Sequence, residues 1–503
     1  MNRRRALLSG GATVLFCATR PVGSQTQPRS LLDEARTLAR APYQPPSGAL
    51  PPPFDDLTYD SYRAIRPVAG RGAMLSQGED FHIDLLPPGL YFPDPFLIER
   101  SVGGAFRTVP LTLDLFSFDP RYFDSVADTG QETGFSGLRL RHPVNSPDIM
   151  DEFAVIQGAS YFRAIGQAMV YGLSARAVAL GTGGPDPEEF PRFTRIRLHD
   201  GVAGQIRVEA VIDSPSLAGY MDMALTPGAD TVTDISVALL PRVGLDAIGI
   251  APLTSMYLKG PMHSAASDDF RPRVHDSDVL FIENGAGEML WRPIDNPTHV
   301  ETSALADNAP VSFGLYQTAR KYEDFEDTEA RYEDRPSAVV RPKGAWGPGA
   351  VILVEIPTGT EFLDNIVAFW RPEVPLAAGA EYQFEYELRW TLDAPAPLAP
   401  ARILQSRSGR EHLTPGVRRF VVDFDTHAED LVPDLSVSGS DQEVLSGLSV
   451  FQLPEGRGTR ATFLLTPGNA EVCEIRFALR SANGIPQSPI WMHRWTRKRD
   501  GGV

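Results

Sequence analysis

Cysteine is nearly missing from this chain of 503 residues, which holds two. Cys17 lies in a basic, then apolar N-terminus, so Cys473 stands alone once that segment is set aside. An intramolecular disulfide and any multi-cysteine zinc site are thereby excluded. Histidine is sparse too: nine are spread along the chain, with no pair spaced to put two ligands on one helix face. Basic residues are in deficit, 47 against 64 acids, giving a net charge of −17. Such a surface repels phosphate backbones and anionic lipid, which argues against nucleic acid and membrane-surface partners. After the N-terminus no run of about 18 residues lacks both charge and proline, so no span is expected in the processed chain. Long amphipathic helical patterns are scarce as well.

What is present begins with MNRRRALLSGGATVLFCATRPVGS, residues 1–24. It combines adjacent arginines, an apolar run from Ala6 to Ala18 and small residues behind it, a run too short to span a bilayer. The pattern is that of an export signal, and the paired arginines point to the twin-arginine route. Its removal would take Arg3, Arg4, Arg5 and Arg20 and no acid, moving the charge from −17 to −21. A large exported protein without disulfides fits the periplasm of a Gram-negative bacterium.

Residues 25–56 are rich in proline and polar groups apart from LLDEARTLARA, whose spacing predicts one short helix. From about residue 80 the pattern turns strand-like: FHIDLLPP, VPLTLDLFSF, FSGLRLRHPV, then QIRVEAVID, where Ile206, Val208, Ala210 and Ile212 alternate with the other face. YMDMALTPGADTVTDISVALL repeats that logic around a Pro-Gly turn. Glycine and proline, 44 of each, punctuate the runs, and the whole predicts an all-β chain built as a large antiparallel β-sandwich. The alanine-proline stretch DAPAPLAPA, residues 393–401, should be extended and marks a domain boundary. The expected organisation is an N-terminal sandwich over 25–392, a linker over 393–401 and an immunoglobulin-like sandwich over 402–503.

Several chemistries can be set aside. GASYF at 158–162 opens like a nucleophile elbow, but Phe162 replaces the closing glycine. GTGGPDPEEF at 181–190 lacks the lysine of a phosphate cradle and reads as a loop. In RPRVHDSDVLF, residues 271–281, His275, Asp276 and Asp278 crowd together, but a calcium loop would need an oxygen ligand where Leu280 stands. That leaves a polar turn whose aspartates hold backbone amides, or a catalytic carboxylate. Sugar hydrolysis needs a second carboxyl group facing the first, one protonated and one ionised. Asp364 stands out, because Leu363, Ile366, Val367, Phe369 and Trp370 surround it in sequence and desolvation would raise its pKa. Aromatic platforms and arginines for sugar rings are offered by Tyr161, Arg163, Tyr316, Tyr322, Phe325, Tyr332, Arg335, Trp346 and Trp370, each of which could equally be core.

These segments together resemble the OpgG and OpgD (MdoG and MdoD) family of periplasmic glucans biosynthesis proteins, and the twin-arginine start leans towards OpgD. The carrying stretches are EFAVIQGASYFRAIG (152–166), YGLSARAVAL (171–180), EEFPRF (188–193), GIAPLTSMYLKG (249–260), HDSD (275–278), GEMLWRPIDNP (287–297), YEDRPS (332–337) and EIPTGTEFLDNIVAFWRPE (355–373). The resemblance implies a galactose-mutarotase-like N-terminal sandwich, an immunoglobulin-like C-terminal domain and a β-1,2-glucan substrate; from the residues, neither metal nor cofactor is expected. It implies an anomer-inverting endo-β-1,2-glucanase with Asp276 as general base and Asp364 as general acid. Tyr332, His275, Asp278, Tyr161, Arg163, Arg335, Glu361, Trp346 and Trp370 are the residues expected on the substrate or the proton path. Two alternatives stand beside it: transglycosylation to cyclic glucan at the same site, and a non-catalytic glucan-binding or assembly role linked to the membrane glucan synthase. A monomer and a homodimer are both compatible. The chain departs from the family where RPSAVVRP stands for RPSLWVEP: Val339 replaces a tryptophan expected near the cleft and Arg341 a glutamate. The stretch RSGREHLTPGVRRF, 407–420, is also shorter than expected.

Overall fold

A computed structural model describes residues 30–46, 49–126, 133–262, 268–395, 399–412, 414–427, 430–439 and 444–500. The export signal read at 1–24 lies outside these residues, as does part of the alanine-proline stretch, 396–398. The described chain is all-β, with a few short helices. The LLDEARTLARA pattern forms the helix Leu31–Arg40, started by the Ser30 hydroxyl, which accepts from the Asp33 amide at 3.3 Å. The Pro-Gly turn joins Leu217–Thr226 to Thr231–Pro241 in unbroken register from Leu217↔Pro241 to Thr226↔Val232.

Two large sheets carry the fold. One has eleven strands, with Ile248–Ser255 and Ile366–Pro372 adjacent near its middle. The other has fourteen and includes Thr231–Pro241, Tyr382–Thr391, Ser337–Lys343, Ser312–Tyr316 and Val279–Glu283 in neighbouring order. Their inner faces share one core, in which Leu253 and Trp370 from the first meet Val237, Tyr386 and Trp390 from the second. The strand Ile206–Asp213 corrects a simple alternation, since its second face is largely buried as well. Val211 on that face packs with Leu31, Ala35 and Leu240, so the N-terminal helix covers what would otherwise be a solvent face.

Near the C-terminus, Ile403–Arg410, Arg418–Phe424, Thr459–Leu465 and Leu445–Gln452 form a four-stranded sheet. Its Phe420 and Phe463 meet Trp491 and Phe477 of the opposing strands at ring separations of 5.7 and 6.0 Å. Those opposing strands, Val432–Ser438, Val472–Arg480 and Ile490–Thr496, end the fourteen-stranded sheet, joined to it by the parallel pairs Leu290↔Ile490 and Trp291↔Trp491. A second core therefore mixes Phe281, Trp291, Tyr316 and Val339 with Phe420, Trp491 and Trp495.

One short stretch matters most for the site. Past the strand Ile248–Ser255, residues 256 and 257 offer backbone groups to two remote segments. The Met256 carbonyl accepts from the Asp276 amide at 2.8 Å. The Tyr257 amide and carbonyl are both taken by the buried side chain of Asn365, at 2.8 and 3.0 Å. Asp276 and Asp364 are thus brought to one place by adjacent residues of a single chain segment.

Candidate active site

The four residues of HDSD point to four environments. His275 is fully buried, its ring stacked on Tyr257 at 5.2 Å and edged by Phe325 at 5.1 Å. Ser277 accepts from the Ser255 hydroxyl at 2.9 Å. Asp278 accepts from the Thr318 amide and hydroxyl at 2.8 and 2.6 Å. Asp276 alone turns to the arginine side, where Arg335 Nη1 donates to its Oδ1 at 2.5 Å. Arg335 is held in turn: its guanidinium lies 4.2 Å from the Tyr332 ring centroid, and a Cβ on Gly172 would press on its stem at 2.9 Å.

The second carboxyl group rides on the loop 357–364. The Thr358 amide donates to Asn296 Oδ1 at 3.0 Å, and Asn296 Nδ2 donates to the Thr358 carbonyl at 2.8 Å. Glu361 accepts from the Tyr332 hydroxyl at 2.6 Å and from Arg271 Nη1 at 2.7 Å. Arg271 also holds Asp327 at 2.8 Å and Asp269 at 2.9 Å. Between these anchors and Asn365, Asp364 faces Arg163 Nη2 at 3.7 Å. Arg163 and Tyr161 share one face of the strand Tyr161–Ala164, and Arg176, paired opposite Tyr161, lies 5.3 Å from its ring centroid. Arg176 is bound by Glu188 at 2.5 Å.

Both carboxyl groups titrate upwards. Burial raises the Asp276 pKa, opposed by the charge and hydrogen bond of Arg335. Asp364 keeps 39% of its side-chain surface, yet the protein around it removes enough water to raise its pKa too. Arg163 opposes that rise, and the charge of Asp276 adds to it. The two groups therefore sense each other. Burial raises the Tyr332 phenol as well, helped by its bond to Glu361, so it stays protonated and a donor. For His275, loss of hydration lowers the pKa to about 4, which makes it a neutral ring.

Of the residues expected at the site, Asp276, Asp364, Tyr161, Arg163, Tyr332, Arg335 and Glu361 are brought together. Tyr332 joins as a buried support under Arg335 and beside Glu361. His275 and Asp278 do not reach the surface of the group: the first is walled in by Tyr257 and Phe325, the second spends both oxygens on Thr318. Trp346 and Trp370 are corrected to core, 6.4 Å apart, with Phe384 and Tyr386 against Trp346, because large aromatics fill the space between the sheets. Tyr316 and Phe325 are buried too. Val339 is likewise not at the site but in the second core beside Phe281, Trp291 and Tyr316. The apolar residues flanking Asp364 in sequence do not line it either: Ile366, Val367, Phe369 and Trp370 are buried in cores, and Leu363 is exposed. Sequence reading missed Arg271, Arg176, Glu188 and Asn365. All four stand in stretches quoted above, Arg271 in RPRVHDSD, Arg176 in YGLSARAVAL, Glu188 in EEFPRF and Asn365 in EFLDNIVAFW, but their partners are remote: the bond from Arg271 to Glu361 spans 90 positions.

The family model described as "Periplasmic glucan biosynthesis protein, MdoG" matches residues 27–495. Glucans biosynthesis protein G of Vibrio cholerae O395 is 40% identical over 474 residues, covering 92% of this chain and 85% of its own. Its counterpart in Shewanella frigidimarina is 39% identical over 468 residues, 92% of this chain and 83% of its own. Glucans biosynthesis protein G 1 of Shewanella oneidensis is 38% identical over 501 residues, 95% and 90%. These relatives carry the G name, whereas the resemblance leaned towards D. A solved polysaccharide lyase aligns with 72% of this chain and 44% of its own at 11% identity, with a TM-score of 0.21 that carries no argument.

Proposed function

Because the chain belongs to the MdoG family of periplasmic glucan biosynthesis proteins, we propose that it acts in the periplasm as an anomer-inverting endo-β-1,2-glucanase that cuts the glucan backbone. The observation that carries this reading is the pair Asp276 and Asp364, two carboxyl groups with raised pKa values and unequal cations. Asp276 has Arg335 at 2.5 Å, which favours the ionised form a base needs. Burial outweighs the arginines that oppose it at Asp364, of which Arg163 comes nearest at 3.7 Å, and the negative field of Asp276 adds to the rise, which favours the protonated form an acid needs.

In this reading Asp364 gives its proton to the departing glycosidic oxygen, directly or through a sugar hydroxyl. Asp276 takes a proton from the attacking water, directly or through a relay. The bond from the anomeric carbon to the glycosidic oxygen breaks while the water oxygen adds from the opposite face, so configuration inverts. Arg335, Tyr332 and Gly172 position the base, and Glu361, Arg271 and Asn365 position the acid's loop.

The test is linear β-1,2-glucan incubated with the wild type, Asp276→Asn and Asp364→Asn, with products read by mass and by new reducing ends. Each variant should lose roughly 10²- to 10⁴-fold in rate. Transfer to a sugar hydroxyl at the same pair would instead give cyclic products lighter by one water. Unchanged processing by both variants would take the chemistry away from this pair, and a wild type that binds the glucan but yields no product would leave the non-catalytic binding role.

A further inference from the structure

The loop that carries Asp364 holds one large apolar side chain that the described residues leave uncovered. Phe362 is 90% exposed, although the backbone around it is held at Thr358, Glu361 and Asn365. Phe270 is 79% exposed and stands between Asp269 and Arg271, which are locked together by the Arg271 amide at 3.0 Å and a forked side-chain pair. The same Arg271 guanidinium binds Glu361, the residue before Phe362, at 2.7 Å. Two exposed phenyl groups are therefore each one residue from a single ion pair, on backbone that is already fixed, and one of them lies two residues from Asp364. Aromatic faces favour flat apolar partners, which the axial C–H faces of a glucose ring supply. Fixed backbone also means that binding orders little that was free.

We propose that Phe362 and Phe270 form an aromatic lip that holds a glucosyl unit of the β-1,2-glucan beside Asp364, setting affinity for longer chains. The inference rests on the glucan-processing reading and adds to it two residues outside the proposed proton transfers.

The experiment uses the full chain carrying Asp364→Asn, which slows turnover, and titrates it calorimetrically with linear β-1,2-gluco-oligosaccharides of increasing length. Adding Phe362→Ala or Phe270→Ala should weaken binding of the longer chains roughly threefold to tenfold per ring. Phe362→Trp should restore the parent affinity. Its indole also reports directly, because all six native tryptophans are buried, and its emission should shift to the blue when glucan is added. Alanine variants that bind with parent affinity, or a Trp emission that ignores glucan, would overturn the lip while leaving the proposed function standing. Alanine variants that keep affinity but change the sedimentation mass would assign the rings to a contact between copies instead. A parent chain that binds no glucan would remove the proposed function, and the lip with it.

Discussion

Asp276 and its neighbour His275 meet opposite surroundings, and the contrast decides their roles. The His275 ring lies between Tyr257 and Phe325, and neither ring nitrogen has a hydrogen-bond partner in the protein among the described residues. Gln317 is the nearby polar group, and it donates to the His275 carbonyl at 2.7 Å. Such a ring acts as an aromatic spacer. Its pKa falls from about 6.5 unfolded to about 4 folded, so the unfolded chain binds the proton more tightly. The neutral ring's stability is present above pH 6.5, and about 3 kcal/mol of it is lost as pH falls through 6.5 towards 4. His275→Phe should therefore keep glucan processing and flatten that acid loss, as read by urea unfolding at pH 7, 5 and 4. A folded His275→Phe chain without activity would give the ring a chemical role after all. From sequence, HDSD was legible as a polar cluster but not as four directions. Which member reaches Arg335 depends on Met256 and Tyr316, whose carbonyls fix the Asp276 and Asp278 amides.

At the scale of elements, the loop 357–364 is a short polar bridge made rigid at three points. Asn365 is the strongest of these, since its buried amide bonds the Tyr257 amide and carbonyl and the Ile356 carbonyl at 2.8, 3.0 and 2.8 Å. Asn365→Ala leaves those backbone groups unpaired and should cost about 2 to 4 kcal/mol. It should also lower kcat more than it raises KM, because it displaces Asp364 without touching substrate; an unchanged kcat in the folded variant would contradict the positioning role. Strand positions were largely readable, as in the hairpin Leu217–Thr226 to Thr231–Pro241, because alternation and a Pro-Gly turn are local signals. What covers a strand was not readable. Alternation in QIRVEAVID left its second face open, and the structure lays the helix Leu31–Arg40 across it at Val211. Trp346 and Trp370 failed for the same reason: aromatic content does not say which side of a sheet is the core.

At the scale of the whole molecule, the C-terminal strands are fused to the large unit. The pairs Leu290↔Ile490 and Trp291↔Trp491 continue one sheet across both. Behind them the buried Arg499 reaches Asp295 at 3.4 Å, Glu301 at 3.3 Å and Asp500 at 2.9 Å, tying the last turn of chain to the start of the strand Glu301–Asp307. Breaking a buried ion network by removing one partner leaves uncompensated charges, so Arg499→Ala should cost about 3 to 5 kcal/mol. Calorimetry of the full chain should show one cooperative transition, lowered in the variant. Two independent transitions would mean that the C-terminal sandwich, proposed to begin after the alanine-proline stretch, unfolds alone. Sequence could suggest that boundary from composition, but not a sheet continuing past it, because parallel pairing between positions 290 and 490 leaves no local mark. If Asp276 and Asp364 perform inverting hydrolysis, the stereochemistry is recorded in the first reducing ends released from linear β-1,2-glucan, which proton NMR reads. The α-anomer should appear first and later mutarotate, with no signal from Asp364→Asn. A β-anomer appearing first, or release unaffected by Asp364→Asn, would contradict it.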